Sequence, residues 1–485
     1  MSNEGQKTKE VLKWFEEICK IPHGSTNEAK LREWLVDWAN GHKFQSRVDD
    51  AGNLVIKVPG TKGFEKAPTV VLQGHLDMVC EKTPDSTHDF KKDPIKLKYE
   101  GDWLKADKTT LGADNGVAIA MMMALCSDQT SEHPPLELLF TVDEETGLIG
   151  ASGMAGDLIT GKILLNLDSE DEGYFTVGCA GGRDTTIMLP VDWEKMSANA
   201  ALYTITTDGM HGGHSGVDIN RGRANALQVL GRVLGEISRQ TNPRVATVQG
   251  GSAHNAIPRN AAITLVLSDK DAATAKTIVS QMEKNINLQY HKADPELKIS
   301  IAPASNAQVS EVMTESSTKK MIWFMQAMPH GVAAMSQDIK DLVETSTNFA
   351  RLEIEDKKLK VVTSQRSSYE DRLKDQSCRV EALSFLANGT INPSNGYPPW
   401  PPDMESPLLK KCVLLYETMF SKKPVIDVIH AGLECGVIGS KYSNMDMVSF
   451  GPTIKDPHSP DERIQVSTIE KTWDFLLALL KTYKA

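Results

Sequence analysis

No apolar stretch in this chain reaches the ~18 uncharged residues that a membrane-spanning helix needs. The N-terminus, MSNEGQKTKEVLKWF, is polar and then amphipathic where a secretory leader would carry an apolar core. Cysteines are sparse: seven, at positions 19, 80, 126, 179, 378, 412 and 435, with no CxxC pair. An odd, scattered set argues against a disulfide framework and for a reducing compartment. Positive charge is also short, with 53 Lys and Arg against 64 Asp and Glu and a formal charge of −11. A nucleic-acid binder would favour a basic patch. The expectation is a cytoplasmic protein with neither membrane nor nucleic acid as partner. The acidic balance does not constrain a small substrate, because a site can differ in sign from the whole.

What is present is ordinary for a globular protein: 40% apolar and 24% charged residues. At 485 residues the chain exceeds what one core usually supports, which makes two domains the default. The first third alternates patterns. Helical spacing over 8–20 and 27–40 is followed by the strand-like runs NLVIKVPG, PTVVLQGHLD, LELLFTVDEE and KILLNLDSE, and the apolar run GVAIAMMMALCSD reads as a buried helix. This alternation predicts an α/β layer with a largely parallel sheet. From about residue 185 the texture becomes α+β, in two groups of helices and strands that suggest two related lobes. Residues 388–407, NGTINPSNGYPPWPPDMESP, read as a linker, and the α/β texture then resumes. The resulting expectation is a first domain of residues 1–184 and 391–485, interrupted by an inserted domain of residues 185–390.

Polar clusters fall where the strand-like runs end, which is where ligands collect in an α/β domain. They are His75 and Asp77 in GHLD, Asp114 in LGADNG, Asp143, Glu144 and Glu145 in TVDEETG, and Asp168 in LNLDSE, with His458 in KDPHSPDE. Singly each has a plain explanation: a surface pair, a helix N-cap at Asp114, a solvated acidic turn. Together, two imidazoles and several carboxylates form a ligand set for zinc, manganese or cobalt. A two-metal hydrolase needs a bridging carboxylate and an unligated one as general base, and neighbours such as Glu144 and Glu145 can divide such duties. Asp77, two residues after His75, can accept the ring N–H and fix its tautomer.

The pieces GHLDMV, GADNGV, DEETG, NLDSE and DPHSPDER, with GGHSGVDINRGRANA and HNAIPR in the middle segment, resemble the M20 family of metallopeptidases over nearly the whole chain. The resemblance implies a zinc-peptidase-like α/β/α catalytic domain with an inserted α+β lid that also forms a homodimer. It implies two divalent ions, zinc first, with Asp114 bridging, His75 and Asp168 at one ion, and Glu145 and His458 at the other. Glu144 would be the general base and Asp77 the residue orienting His75. His214 on the lid would polarise the scissile carbonyl, while Asn255 and Arg366 would hold substrate. The stretch GGSAH before NAIPR departs from the more basic pair expected in relatives, and His254 is a candidate for that place.

The function implied is hydrolysis of unblocked dipeptides, Xaa-His among them, by a metal-bridged hydroxide. An aminoacylase or deacetylase acting on N-acyl amino acids would use the same metal site. A non-catalytic metal-binding protein and a serine hydrolase centred on Ser215 are further readings. GGHSG does not match the GxSxG elbow of the latter. His430 and Glu434 in IHAGLECG are left without assigned roles.

Overall fold

The computed structural model describes residues 5–197, 200–304, 309–394 and 396–484. Two compact units emerge. One comprises Met1–Cys179, Trp400–Val428 and Leu433–Ala485, and the other Ala180–Pro399 with Ile429–Gly432.

In the first unit eight strands form one sheet, in the order Gln45–Val48, Leu54–Val58, Leu136–Thr141, Val70–His75, Ile163–Asn166, Asp446–Ser449, Tyr174–Cys179, Val425–Ile429. The central four run parallel. Val70–His75 and Leu136–Thr141 are buried at every position, which is why they read as nearly continuous apolar runs. The flanks are antiparallel: Leu54–Val58 against Leu136–Thr141, and Tyr174–Cys179 against Asp446–Ser449. The sheet is therefore mixed rather than largely parallel. At one edge the reason is a short hairpin, Gln45–Val48 to Leu54–Val58, whose connection forces antiparallel pairing.

The apolar run at 113–127 is a helix, Ala113–Ser127, apolar all round. It packs on Val70–His75 and is covered by Gln6–Ile18. A separate four-stranded sheet joins Leu97–Glu100, Trp103–Ala106, Arg463–Gln465 and Ile454–Lys455. The last two form a hairpin whose loop carries His458. No helix among the described residues is long and apolar enough to cross a membrane.

The second unit is built on a nine-stranded sheet in which every described pairing is antiparallel. The helices Ala226–Gln240, Asp269–Tyr290 and Glu315–Ala327 contribute Leu230, Leu234, Ile278 and Phe324 to its core. The two helix–strand groups are not separate lobes. Arg244–Gly250 pairs with Val343–Glu355 at Gln249↔Glu353 and Gly250↔Leu352, so both groups share one sheet. Nor is 388–407 a pure linker, since Thr390–Pro393 pairs with Gly181–Pro190. The Pro and Gly content there reflects an edge strand and the turns beside it.

Candidate metal centre

Parallel strands deliver their carboxyl ends to one edge. His75 closes Val70–His75 and is 1% exposed. Asp168 lies two residues beyond Ile163–Asn166, and the turn bearing Asp143, Glu144 and Glu145 follows Leu136–Thr141. Asp114 sits at the mouth of Ala113–Ser127, where it and Asn115 depart from helical geometry. Asn115 ties two of these ends together, its Oδ1 accepting the His75 N–H at 3.2 Å and its Nδ2 donating to the Leu167 carbonyl at 3.0 Å. Gly74 leaves room for this, because a Cβ there would lie 2.3 Å from that Oδ1.

Asp114 faces both imidazoles. Its Oδ1 is 3.0 Å from His75 Nε2 and its Oδ2 is 3.2 Å from His458 Nε2. Asp168 Oδ1 lies 3.4 Å from His75 Nε2, and Glu145 Oε2 lies 3.1 Å from His458 Nε2. Donor atoms ~2.0–2.1 Å from a tetrahedral zinc stand about 3.3 Å apart, which is the spacing found in both groups. Asp168 Oδ1 and Glu145 Oε1 are buried and accept no hydrogen bond among the described residues. Such oxygens are costly unless a cation meets them. The donor set and its orphaned oxygens thus fit divalent metal ions.

Electrostatics agree. Burial works to depress the His75 imidazole, but Asp168, Asp114 and Asp77 outweigh it and raise it well above the usual histidine range. His458 is pushed up to about 11 by its contacts with Asp114 and Glu145. Burial raises Asp168 to about 6 and lifts Glu144 well above the usual carboxylate range. Without metal, this cluster recruits protons to offset its negative charge. Glu144 sits among the charges of His75, Asp168 and Glu145, and its carboxylate takes no hydrogen bond among the described residues.

Asp77 has a wider role than orienting a ring. The His75 Nδ1 meets the Asp77 backbone carbonyl at 3.0 Å and its Oδ1 at 3.4 Å. The same carboxylate accepts the N–H groups of Glu144 at 3.0 Å and Glu145 at 3.2 Å, and the Ser25 hydroxyl at 2.8 Å. It therefore holds the turn that carries the base candidate and a ligand candidate. Glu28, Asp77 and Asp143 also approach one another closely enough to suggest a cation. However, Glu28 accepts the N–H groups of Thr26 and Asp143, and Asp143 accepts the Thr146 hydroxyl. That group is occupied with holding backbone.

A row of buried polar side chains beneath the ligand candidates, Glu434 apart, escaped the sequence reading. Gln73 Nε2 donates to Glu434 Oε2 at 2.5 Å, Asn166 Nδ2 donates to Gln73 Oε1 at 2.5 Å, and Ser449 bonds to Asn166. Thr141 also donates to Glu434 Oε2, at 2.6 Å. Gln73, Thr141 and Asn166 each lie two residues before a polar residue of the strand ends, on the same face. The sequence signals were Gln73 and Asn166, each within an otherwise apolar run.

In the second unit His214 pairs with Ala256 across two short strands, and Ser215 N–H donates to the Asn255 carbonyl at 2.7 Å. His214 Nδ1 accepts the N–H groups of Gly216 and Val217, both at 3.3 Å, so the neutral ring carries its proton on Nε2. Burial, reinforced by Arg366, lowers this imidazole to about 4 and keeps it neutral. Arg366 is 6% exposed and donates to the Tyr397 hydroxyl at 2.6 Å and to Ser215 Oγ at 3.4 Å. It makes no ion pair among the described residues, and its Nε is buried without a partner. A guanidinium so placed is ready for an anion. Asn255 and His254 are exposed on the same turn. His430, left unassigned above, donates to or accepts from Ser346 Oγ at 2.7 Å in this unit.

Two histidines and three carboxylates gathered beside the carboxyl edge of an α/β sheet make a candidate metal centre of the kind a metallohydrolase needs. The chain belongs to the peptidase family M20/M25/M40, whose model matches residues 71–482. It is 37% identical over 471 residues to a cytosol non-specific dipeptidase of Escherichia coli, covering 97% of each chain. Its structure is similar to the crystal structure of an aminoacylhistidine dipeptidase from Vibrio alginolyticus, with a TM-score of 0.90, 37% identity, and coverage of 99% of this chain and 97% of that one. An aminopeptidase from Bacillus cereus, at 15% identity and a TM-score of 0.57, shares the fold.

Proposed function

We propose that this protein is a metal-dependent dipeptidase that hydrolyses short unblocked peptides, aminoacyl-histidines among them. The observation that carries the reading is Asp114, whose two oxygens face His75 and His458 separately, as a carboxylate shared by two ions must. His75, Asp114 and Asp168 would hold one ion, and Asp114, Glu145 and His458 the other, with zinc as the native metal. When bound, these ions polarise the peptide carbonyl and acidify water. Glu144, unligated and buried, takes the proton of the attacking water and returns it to the leaving amine. His214 donates a hydrogen bond from its Nε2–H to the carbonyl oxygen as negative charge develops there. Arg366 receives the C-terminal carboxylate of the substrate, which favours very short peptides, and Asn255 assists in holding it. The division into a catalytic domain and a lid, and a homodimer formed through the second unit, belong to the same proposal.

The decisive experiment assays purified protein, with chelator and then with added zinc, on dipeptides and N-acyl amino acids. Chelator-sensitive cleavage of free dipeptides is expected, and activity confined to blocked substrates would instead establish an aminoacylase. Glu144→Gln is expected to bind metal normally yet hydrolyse about 10²- to 10⁴-fold more slowly. Unchanged turnover would remove Glu144 from the mechanism. Sedimentation of the same preparation at twice the chain mass checks the dimer.

A further inference from the structure

The carboxylate of Glu462 serves neither as a ligand nor as a base candidate, yet it is 2% exposed. It accepts four consecutive backbone N–H groups from far along the chain. Oε2 takes those of Leu111 at 2.7 Å and Gly112 at 3.0 Å, and Oε1 takes those of Ala113 at 2.8 Å and Asp114 at 3.3 Å. Successive amides can converge in this way because Gly112 adopts φ +71°, which turns the chain into an anion-holding nest. A side chain at Gly112 would be strained and would meet Met78 Sδ at 2.8 Å.

Two features separate this contact from simple helix capping. A Ser or Asp at the N-cap would satisfy those amides locally, without burying a remote anion. The N-cap here is Gly112, which has no side chain to offer. In addition, Glu462 closes the hairpin loop that carries His458, just before Arg463–Gln465 pairs with Trp103–Ala106. One carboxylate thus fastens the turn presenting Asp114 to the loop presenting His458. The atoms it brings into register are Asp114 Oδ2 and His458 Nε2, 3.2 Å apart.

We propose that Glu462 is a positioning residue for the metal centre, preorganising the Asp114 turn and the His458 loop as one body before any ion binds. The proposal rests on the reading of Asp114 and His458 as ligands. Substitution is expected to weaken metal binding about 10- to 100-fold, the usual effect of removing a partner that orients ligands. In Glu462→Gln an amide NH₂ replaces one oxygen and confronts two N–H donors. In Glu462→Asp the charge survives, but the carboxylate falls one methylene short of the nest.

The test titrates zinc into metal-free wild type, Glu462→Gln, Glu462→Asp, Asp114→Asn and Glu137→Gln, with calorimetric readout and melting temperatures. Glu137 is a control for structure alone, since it is 2% exposed and accepts the N–H groups of Thr160 at 2.7 Å and Gly161 at 2.9 Å. Its variant should melt earlier while binding zinc as wild type does. Weakened zinc binding in both Glu462 variants, at melting losses no greater than that of Glu137→Gln, supports the proposal. Zinc affinity within about three-fold of wild type in a folded Glu462 variant overturns it. If Asp114→Asn also binds zinc like wild type, the ligand reading fails instead. Hydrogen exchange on the wild type decides the matter even if the variants do not fold. The amides of residues 111–114 should be protected in metal-free protein, and protection that appears only after zinc is added would refute preorganisation.

Discussion

Asp77 is a residue whose type announces one role and whose surroundings give it two. As a carboxylate beside an imidazole it resembles a ligand, but its oxygens are committed to the N–H groups of Glu144 and Glu145 and to Ser25. Those bonds and the neighbouring His75 hold its carboxyl down to about 2 against the opposing effect of burial. His75→Ala should therefore lose metal, measured as equivalents per chain by elemental analysis. Asp77→Asn should retain metal while lowering kcat about 10- to 100-fold, because the turn carrying the base loses an acceptor. Equal metal loss in the two variants would make Asp77 a ligand after all. At this scale the sequence was informative about ligand candidates and poor about their supports. Histidine and aspartate at the ends of apolar runs stand out by type alone. Glu462 does not, because its role depends on amides about 350 residues away that no local pattern links to it.

Among the elements, the parallel central strands explain why the candidates converge, since each strand end contributes at most a few residues to the same edge. That was legible, because buried parallel strands are apolar throughout and polar residues at their ends are conspicuous. The antiparallel flanks were not. Tyr174–Cys179 is placed by pairing with Asp446–Ser449, a partner from the other end of the chain. The merging of two apparent lobes into one sheet likewise rests on two residue pairs between Arg244–Gly250 and Val343–Glu355. The buried row Thr141, Gln73, Asn166 and Ser449 crosses four adjacent strands just below the ligand candidates, so the strand ends are joined by side chains as well as by backbone. Gln73→Leu would take the acceptor from the buried Asn166 Nδ2, while Glu434 Oε2 would keep its bond from Thr141. The expected cost is about 1–3 kcal/mol for each buried group left unsatisfied, read from urea unfolding of the metal-free protein. A variant as stable as wild type would show that the row is incidental.

For the molecule as a whole, the two units carry opposite titration liabilities. In the first, burial raises Glu434 and Glu462 to about 7 from the ordinary carboxyl value of 4.5. Between those values the unfolded chain gives up protons that the folded unit keeps, so metal-free stability falls as pH rises from about 4.5 to about 7. In the second unit burial lowers His214 and His330 to about 4 and His430 to about 3, from 6.5. There the unfolded chain gains protons that the folded unit refuses, so stability falls as pH drops below about 6.5. Each unit has its own sheet and core, and chains of this kind need not melt in one step. Calorimetry of chelated protein at pH 5 and pH 8 should resolve two transitions that move in opposite directions. Zinc at about 100 times its Kd should then raise only the first unit's transition, by the equivalent of about 2.7 kcal/mol. Transitions that shift together with pH, or a zinc effect shared equally by both, would show that these buried groups do not govern the stability of their units.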